Sequence, residues 1–209
     1  MNSSQLGIII GLTGQTGAGK TSVGELLSQK GCEVIDTDKI AREITEKGSP
    51  VLELLAKAFG EDILENGELN RRLLASRAFS SRENTEKLNS VTHPEITKRV
   101  KQKIEEAFKN GKRAAVIDAA ALFESGEDKL CDFTVAVVCP EDIRFKRIMK
   151  RDGITEEQAL ARIKAQHDEQ YYMHNADMII RNYPPFDIKE QTDRIISRME
   201  SEAYGKKKG

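Results

Sequence analysis

The chain has 209 residues, 38% of them hydrophobic and 32% charged, with 33 basic against 34 acidic side chains and a formal net charge of -1. That length suits one compact domain with inserted pieces. The even charge balance excludes a polycation and gives no sign of a nucleic-acid partner. No stretch approaches the roughly 18 to 20 apolar residues that span a bilayer, so no membrane association is expected.

In chain order, the apolar run LGIII at 6–10 reads as a first strand. The opening MNSSQ has no basic region ahead of that run and does not read as a secretory leader. A helix from about Lys20 to Gln29, ended by Gly31, leads to a second strand, CEVI at 32–35. Nearly eighty residues then pass before the third strand, AAVI at 114–117, far more than one crossover needs. They divide into helices at 38–46, 51–58, 70–79, 82–90 and 94–109, with Pro94 in the first turn of the last. TVAVV at 134–138 is the fourth strand and DMII at 177–180 a weaker fifth. Between them, 141–175 is helical and basic, with a helix starting at Thr155.

Continuous apolar strands alternating with charged helices predict an α/β fold with a five-stranded, mainly parallel sheet. Residues 1–45, 111–140 and 176–209 form its nucleotide-binding core, 46–110 an all-helical insertion for the acceptor, and 141–175 a helical lid. The closing GKKKG reads as a frayed tail. Cys32, Cys131 and Cys139 match no metal or redox framework and suit a reducing compartment. The cytoplasm is the expected location and a monomer the default.

The strongest signal is Gly14-Gln15-Thr16-Gly17-Ala18-Gly19-Lys20-Thr21, a phosphate-binding loop set between a strand and a helix. Glycines let consecutive main-chain N–H groups curl around a phosphate, and the helix start adds positive charge. Lys20 then bridges the terminal phosphates of ATP, and the Thr21 hydroxyl sits on Mg²⁺. Asp118, at the end of the third strand, can order the same metal or its water.

Asp36 and Asp38 follow the second strand, where strand geometry would put both carboxylates on one side. Asp38 is the candidate base for an attacking hydroxyl, and Asp36 a metal-side or positioning group; the competing reading makes Asp36 an exposed strand end and Asp38 a helix cap. His93, Leu122, Phe123 and Glu124 are candidates for acceptor contact. Arg144, Arg147 and Arg151 share one helix face, and Arg162 follows on the next helix, a set suited to closing on transferring phosphate. A mobile lid excludes water as a competing nucleophile. These residues indicate a small-molecule kinase, with a nucleoside or nucleotide monophosphate kinase and a nucleotide switch as rivals.

The segments GLTGQTGAGKTSVGELL, VIDTDKIAREI, THPEI, VIDAAALFESG, RIMKRDGITEEQALARIKAQ and ADMIIRN together resemble the dephospho-coenzyme A kinase family. Ala121 stands where that family usually has a proline. The resemblance implies transfer of the ATP γ-phosphate to the ribose 3′-hydroxyl of dephospho-coenzyme A and a core, acceptor domain and lid. It also implies Asp38 as the catalytic acid, and Asn182 near the adenine.

Overall fold

The computed structural model describes residues 7–206. Along the chain come β1 (Ile8–Gly14), α1 (Lys20–Gln29), β2 (Glu33–Asp36), α2 (Thr37–Glu43), α3 (Pro50–Phe59), β3 (Leu64–Glu65), β4 (Glu68–Leu69) and α4 (Arg71–Ala78). There follow α5 (Arg82–Lys109), β5 (Ala114–Asp118), β6 (Phe133–Val138), α6 (Glu141–Asp152), α7 (Glu156–Lys164), α8 (Glu169–Asn175), β7 (Met178–Arg181) and α9 (Ile188–Lys206). The chain divides into two compact units, one of Met1–Ile35 with Ile104–Gly209, the other of Asp36–Lys103.

The larger unit is built on the predicted sheet, in the order β2-β5-β1-β6-β7. β1 pairs in parallel with β5 and with β6, and β6 pairs in parallel with β7. Because β1 lies in the middle, both of its faces are covered and six of its seven residues are buried, all but Ile9; the Thr13 hydroxyl donates to Ala120 O. One face packs Ile8, Ile10 and Leu12 with Val23 and Leu27 of α1 and Ile195 of α9. Gly11 has the opposite requirement: a Cβ there would stand 2.7 Å from Leu122 Cδ2 and 2.9 Å from Cys131 Sγ. The loop after β5 is therefore clamped onto β1 through a position that admits no side chain.

In the lid segment, Thr155 caps α7 and forms a reciprocal capping box with Gln158. α6 and α7 meet through Ile148, Ala159 and Ile163. A third helix, α8, had no counterpart in the sequence reading; Asp168 caps it by accepting from Tyr171 N–H, and buried Tyr172 holds it to Ala136 and Val138 of β6. The tail was expected to fray, but α9 continues to Lys206; residues 207–209 lie outside the described residues, as does Leu6 of the first predicted strand.

The smaller unit corrects two expectations. Helices 82–90 and 94–109 are one helix, α5, with Pro94 inside it. Proline removes a single main-chain donor, and its flanks hold: Thr92 Oγ1 donates to Leu88 O at 3.0 Å. Buried Val100, Ile104 and Ala107, spaced four and three apart, anchor the helix beyond it. Nor is the insertion all helical, since β3 and β4 form an antiparallel hairpin turned by Asn66 and Gly67, both at positive φ. The Asn-Gly pair is the usual signal for such a turn.

Gly11→Ala should destabilise the fold by about 1–3 kcal/mol through overpacking. Urea unfolding would show a lower midpoint at unchanged slope; an unaltered midpoint would mean that Leu122 and Cys131 do not pack on β1 as described.

Candidate active site

The glycine loop leaves β1 at Gly14 and enters α1 at Lys20, closing its first turn with Ala18 N–H donating to Gln15 O at 3.0 Å. Gly14 has φ 151° and Gly19 φ 92°. A Cβ at Gly14 would collide with the Val137 carbonyl of β6, and one at Gly19 with the Asn182 side-chain amide, so both positions demand glycine. The first turn of α1 leaves the N–H groups of Lys20 and Thr21 without helical acceptors, which suits an anion.

A loop that turns its N–H groups to one side turns its carbonyls to the other, and here those carbonyls are met. Arg144 Nη1 donates to Thr16 O at 3.5 Å, and Arg147 Nη1 to Gly17 O at 3.4 Å and Ala18 O at 3.3 Å. Asn182 Nδ2 donates to Ala18 O at 2.8 Å, while Arg147 Nη2 donates to Asn182 O at 3.1 Å. Arg144 is buried, and desolvation pulls its guanidinium below the usual pKa; its Nε donates to Cys139 O at 3.0 Å. The arginine stripe was read from sequence as facing phosphate. In the structure Arg144 and Arg147 engage the loop's own main chain.

Lys20 Nζ forms an ion pair with Asp118, the last residue of β5, with both side chains mostly out of solvent. Thr21, next on α1, is exposed. The loop after β5 places Leu122 in the core, so its side chain is turned away from solvent. Phe123 lies edge-on to Tyr171, and Glu124 Oε1 is 3.3 Å from His167 Nε2. His167 in turn stacks on Tyr171, with ring centroids 3.7 Å apart.

In the smaller unit, strand geometry does not persist past β2, which corrects the expectation that the two carboxylates share a strand face. Asp36 is the N-cap of α2, accepting from Lys39 N–H at 2.9 Å, and Asp38 lies in the first helical turn with its side chain exposed. His93 is on α5, where burial lowers its pKa and favours neutral imidazole.

With this geometry in hand, the comparisons are decisive. A family model described as dephospho-CoA kinase matches residues 8–185. The chain belongs to the dephospho-CoA kinase family. A dephospho-CoA kinase of Corynebacterium efficiens is 42% identical over 192 residues, covering 91% of this chain and 96% of its own. Among solved structures, a Thermus thermophilus protein superposes with a TM-score of 0.79 at 31% identity, covering 92% of this chain and 97% of its own. A dephospho-CoA kinase from Campylobacter jejuni gives 0.66 at 26%, covering 91% and 96%.

Within this family member, two arginines of α6 and α7 meet on one carboxylate. Arg151 donates through Nε and Nη2 to Asp152 at 2.7 and 2.9 Å, and Arg162 Nη1 reaches Asp152 Oδ2 at 2.5 Å. Hydrogen bonding from Arg151, with the charge of Arg162 beside it, holds the Asp152 carboxyl below its ordinary pKa. Both arginines are half exposed or more, whereas Arg147 is tied down. Sequence reasoning placed Gln166 only within the lid motif. Its Oε1 accepts from Thr16 N–H at 2.7 Å, a direct link between lid and loop.

Asn182→Ala should strip a donor from the Ala18 carbonyl and weaken nucleotide binding roughly two- to tenfold with the fold intact. Calorimetric titration with the non-hydrolysable ATP analogue AMP-PNP checks this; unchanged affinity would remove Asn182 from the support of the loop.

Proposed function

We propose that the phosphate loop of the larger unit and the carboxylate of Asp38 divide the work of one phosphoryl transfer. The activity is the family's: ATP-dependent phosphorylation of the 3′-hydroxyl of the dephospho-CoA ribose, giving CoA and ADP. The observation that carries the assignment of roles is the loop itself, with carbonyls clamped from behind and Lys20 poised at the end of β5.

Gly14 to Thr21 hold the triphosphate by main-chain N–H groups, and Lys20 neutralises its terminal phosphates. Thr21 and Asp118 are oxygen donors of the kind a hard cation takes, and they fit Mg²⁺. When bound, that ion supplies charge neutralisation on the phosphate oxygens. Lys20 then moves from Asp118 to phosphate. Asp38 accepts the proton of the 3′-hydroxyl as its oxygen attacks the γ-phosphorus and the bond to ADP breaks. Its exposed position in the first turn of α2, unoccupied by the capping that engages Asp36, supports that role.

Arg151 and Arg162 exchange Asp152 for the equatorial oxygens of the transferring group, where charge spreads. Arg147 acts with Asn182 on the adenine side of the loop. His93, Phe123 and Glu124, with the backbone at Leu122, meet the acceptor. Segment 141–175 serves as the lid, 46–110 as the acceptor domain. Among the described residues no helix is long and apolar enough to cross a membrane. The free thiols of Cys32, Cys131 and Cys139 suit a reducing compartment such as the cytoplasm.

ADP release should depend on dephospho-CoA and remain near background with nucleoside monophosphates; turnover on a monophosphate alone would overturn the assignment. Asp38→Asn should lower kcat by roughly 10²–10⁴-fold while AMP-PNP affinity stays within about twofold. Parallel loss of both would deny Asp38 its role. Lys20→Met should reduce kcat/KM for ATP more than that for the acceptor at saturating ATP.

A further inference from the structure

The contact between Gln166 and Thr16 has a chemical consequence for nucleotide entry. Thr16 is the third residue of the phosphate loop, and its N–H is donated not to solvent but to Gln166 Oε1, at 2.7 Å. We propose that Gln166 is a positioning residue that occupies the Thr16 amide until the ATP tail takes it, so that nucleotide arrival and displacement of the Gln166 side chain are one event. The inference rests on the reading of residues 14–21 as the phosphate cradle.

One N–H makes one strong hydrogen bond, and both the glutamine oxygen and a phosphate oxygen are acceptors. They therefore compete for Thr16 and cannot bond to each other. A charged acceptor wins such a competition, since hydrogen bonds to ionised groups are about twice as strong as neutral ones. Gln166 sits just past the end of α7, its own N–H donating to Ile163 O at 3.2 Å. α7 packs on α6, whose Arg144 and Arg147 hold the loop carbonyls, so the segment stays on the loop while the Gln166 side chain gives up its amide.

The neighbouring contacts localise the change to the one side chain. His167 O accepts from Gln15 Nε2 at 3.5 Å, and the His167 ring is held by Glu124 and Tyr171. These can persist while the Gln166 amide swings away. Gln15, 3% exposed, also carries a buried Oε1 that has no hydrogen-bond partner among the described residues. The two glutamines thus leave one acceptor unpaired while Gln166 spends its own acceptor on Thr16.

The test is the sign of two substitutions, read by titration with Mg²⁺ and AMP-PNP. Gln166→Ala removes the competitor and should tighten binding roughly two- to tenfold. Gln166→Glu places a charged acceptor on Thr16 N–H and repels incoming phosphate, and should weaken binding by more than about tenfold. A merely structural glutamine would give weaker binding in both variants, and that result, or no change in the alanine variant, would overturn the proposal. Gln166 is part exposed, so both variants should fold, which thermal unfolding confirms. Failure of the unaltered chain to bind AMP-PNP would instead overturn the cradle reading, and the inference with it.

Discussion

A peptide chain that offers consecutive N–H groups to an anion must do something with the carbonyls it turns the other way. Here three successive carbonyls, of Thr16, Gly17 and Ala18, receive donors from Arg144, Arg147 and Asn182. The donors come from α6 and from the residue after β7, elements far along the chain but adjacent to β1 through β6. The loop's shape is therefore a tertiary property. Glycine permits it, and cationic and amide donors hold it against the repulsion among aligned peptide dipoles.

This constraint explains why a central β1 matters. Flanked by β5 and β6, β1 delivers the loop between Asp118 at the end of one neighbour and Cys139, where α6 approaches, just past the other. Lys20 can then exchange between a protein carboxylate and a phosphate without leaving the loop. The Asp152 cluster repeats the pairing in α6 and α7, where one carboxylate holds the guanidinium groups of Arg151 and Arg162.

Much of this was legible in the residues. Strand positions followed from continuous apolar runs, and the loop from its glycines and Lys20-Thr21. The Thr155 capping box was readable because it is local. What escaped depends on distance or on a balance of small terms. Pro94 argued for a helix start, yet the apolar positions at Val100, Ile104 and Ala107 carry α5 through it. The Asn66-Gly67 turn lies inside a segment read as all helical, where two-residue strands are too short to leave an apolar pattern. That Arg144 and Arg147 also brace the loop carbonyls was not legible, because sequence shows charge and spacing but not which loop atoms face a helix. Asp36 and Asp38 seemed a pair on a strand; the cap formed by Asp36 begins a helix one residue early and separates their roles.

The account stands on the loop amides as the seat of the triphosphate and on Asp38 as the group that meets the acceptor. A crystal structure of the chain with Mg²⁺, AMP-PNP and dephospho-CoA tests both at once. The expected result has phosphate oxygens within hydrogen-bond distance of main-chain N–H groups between Thr16 and Thr21, and the ribose 3′-hydroxyl within such reach of Asp38. Phosphates seated away from those amides, or a 3′-hydroxyl addressed by another side chain, would contradict it.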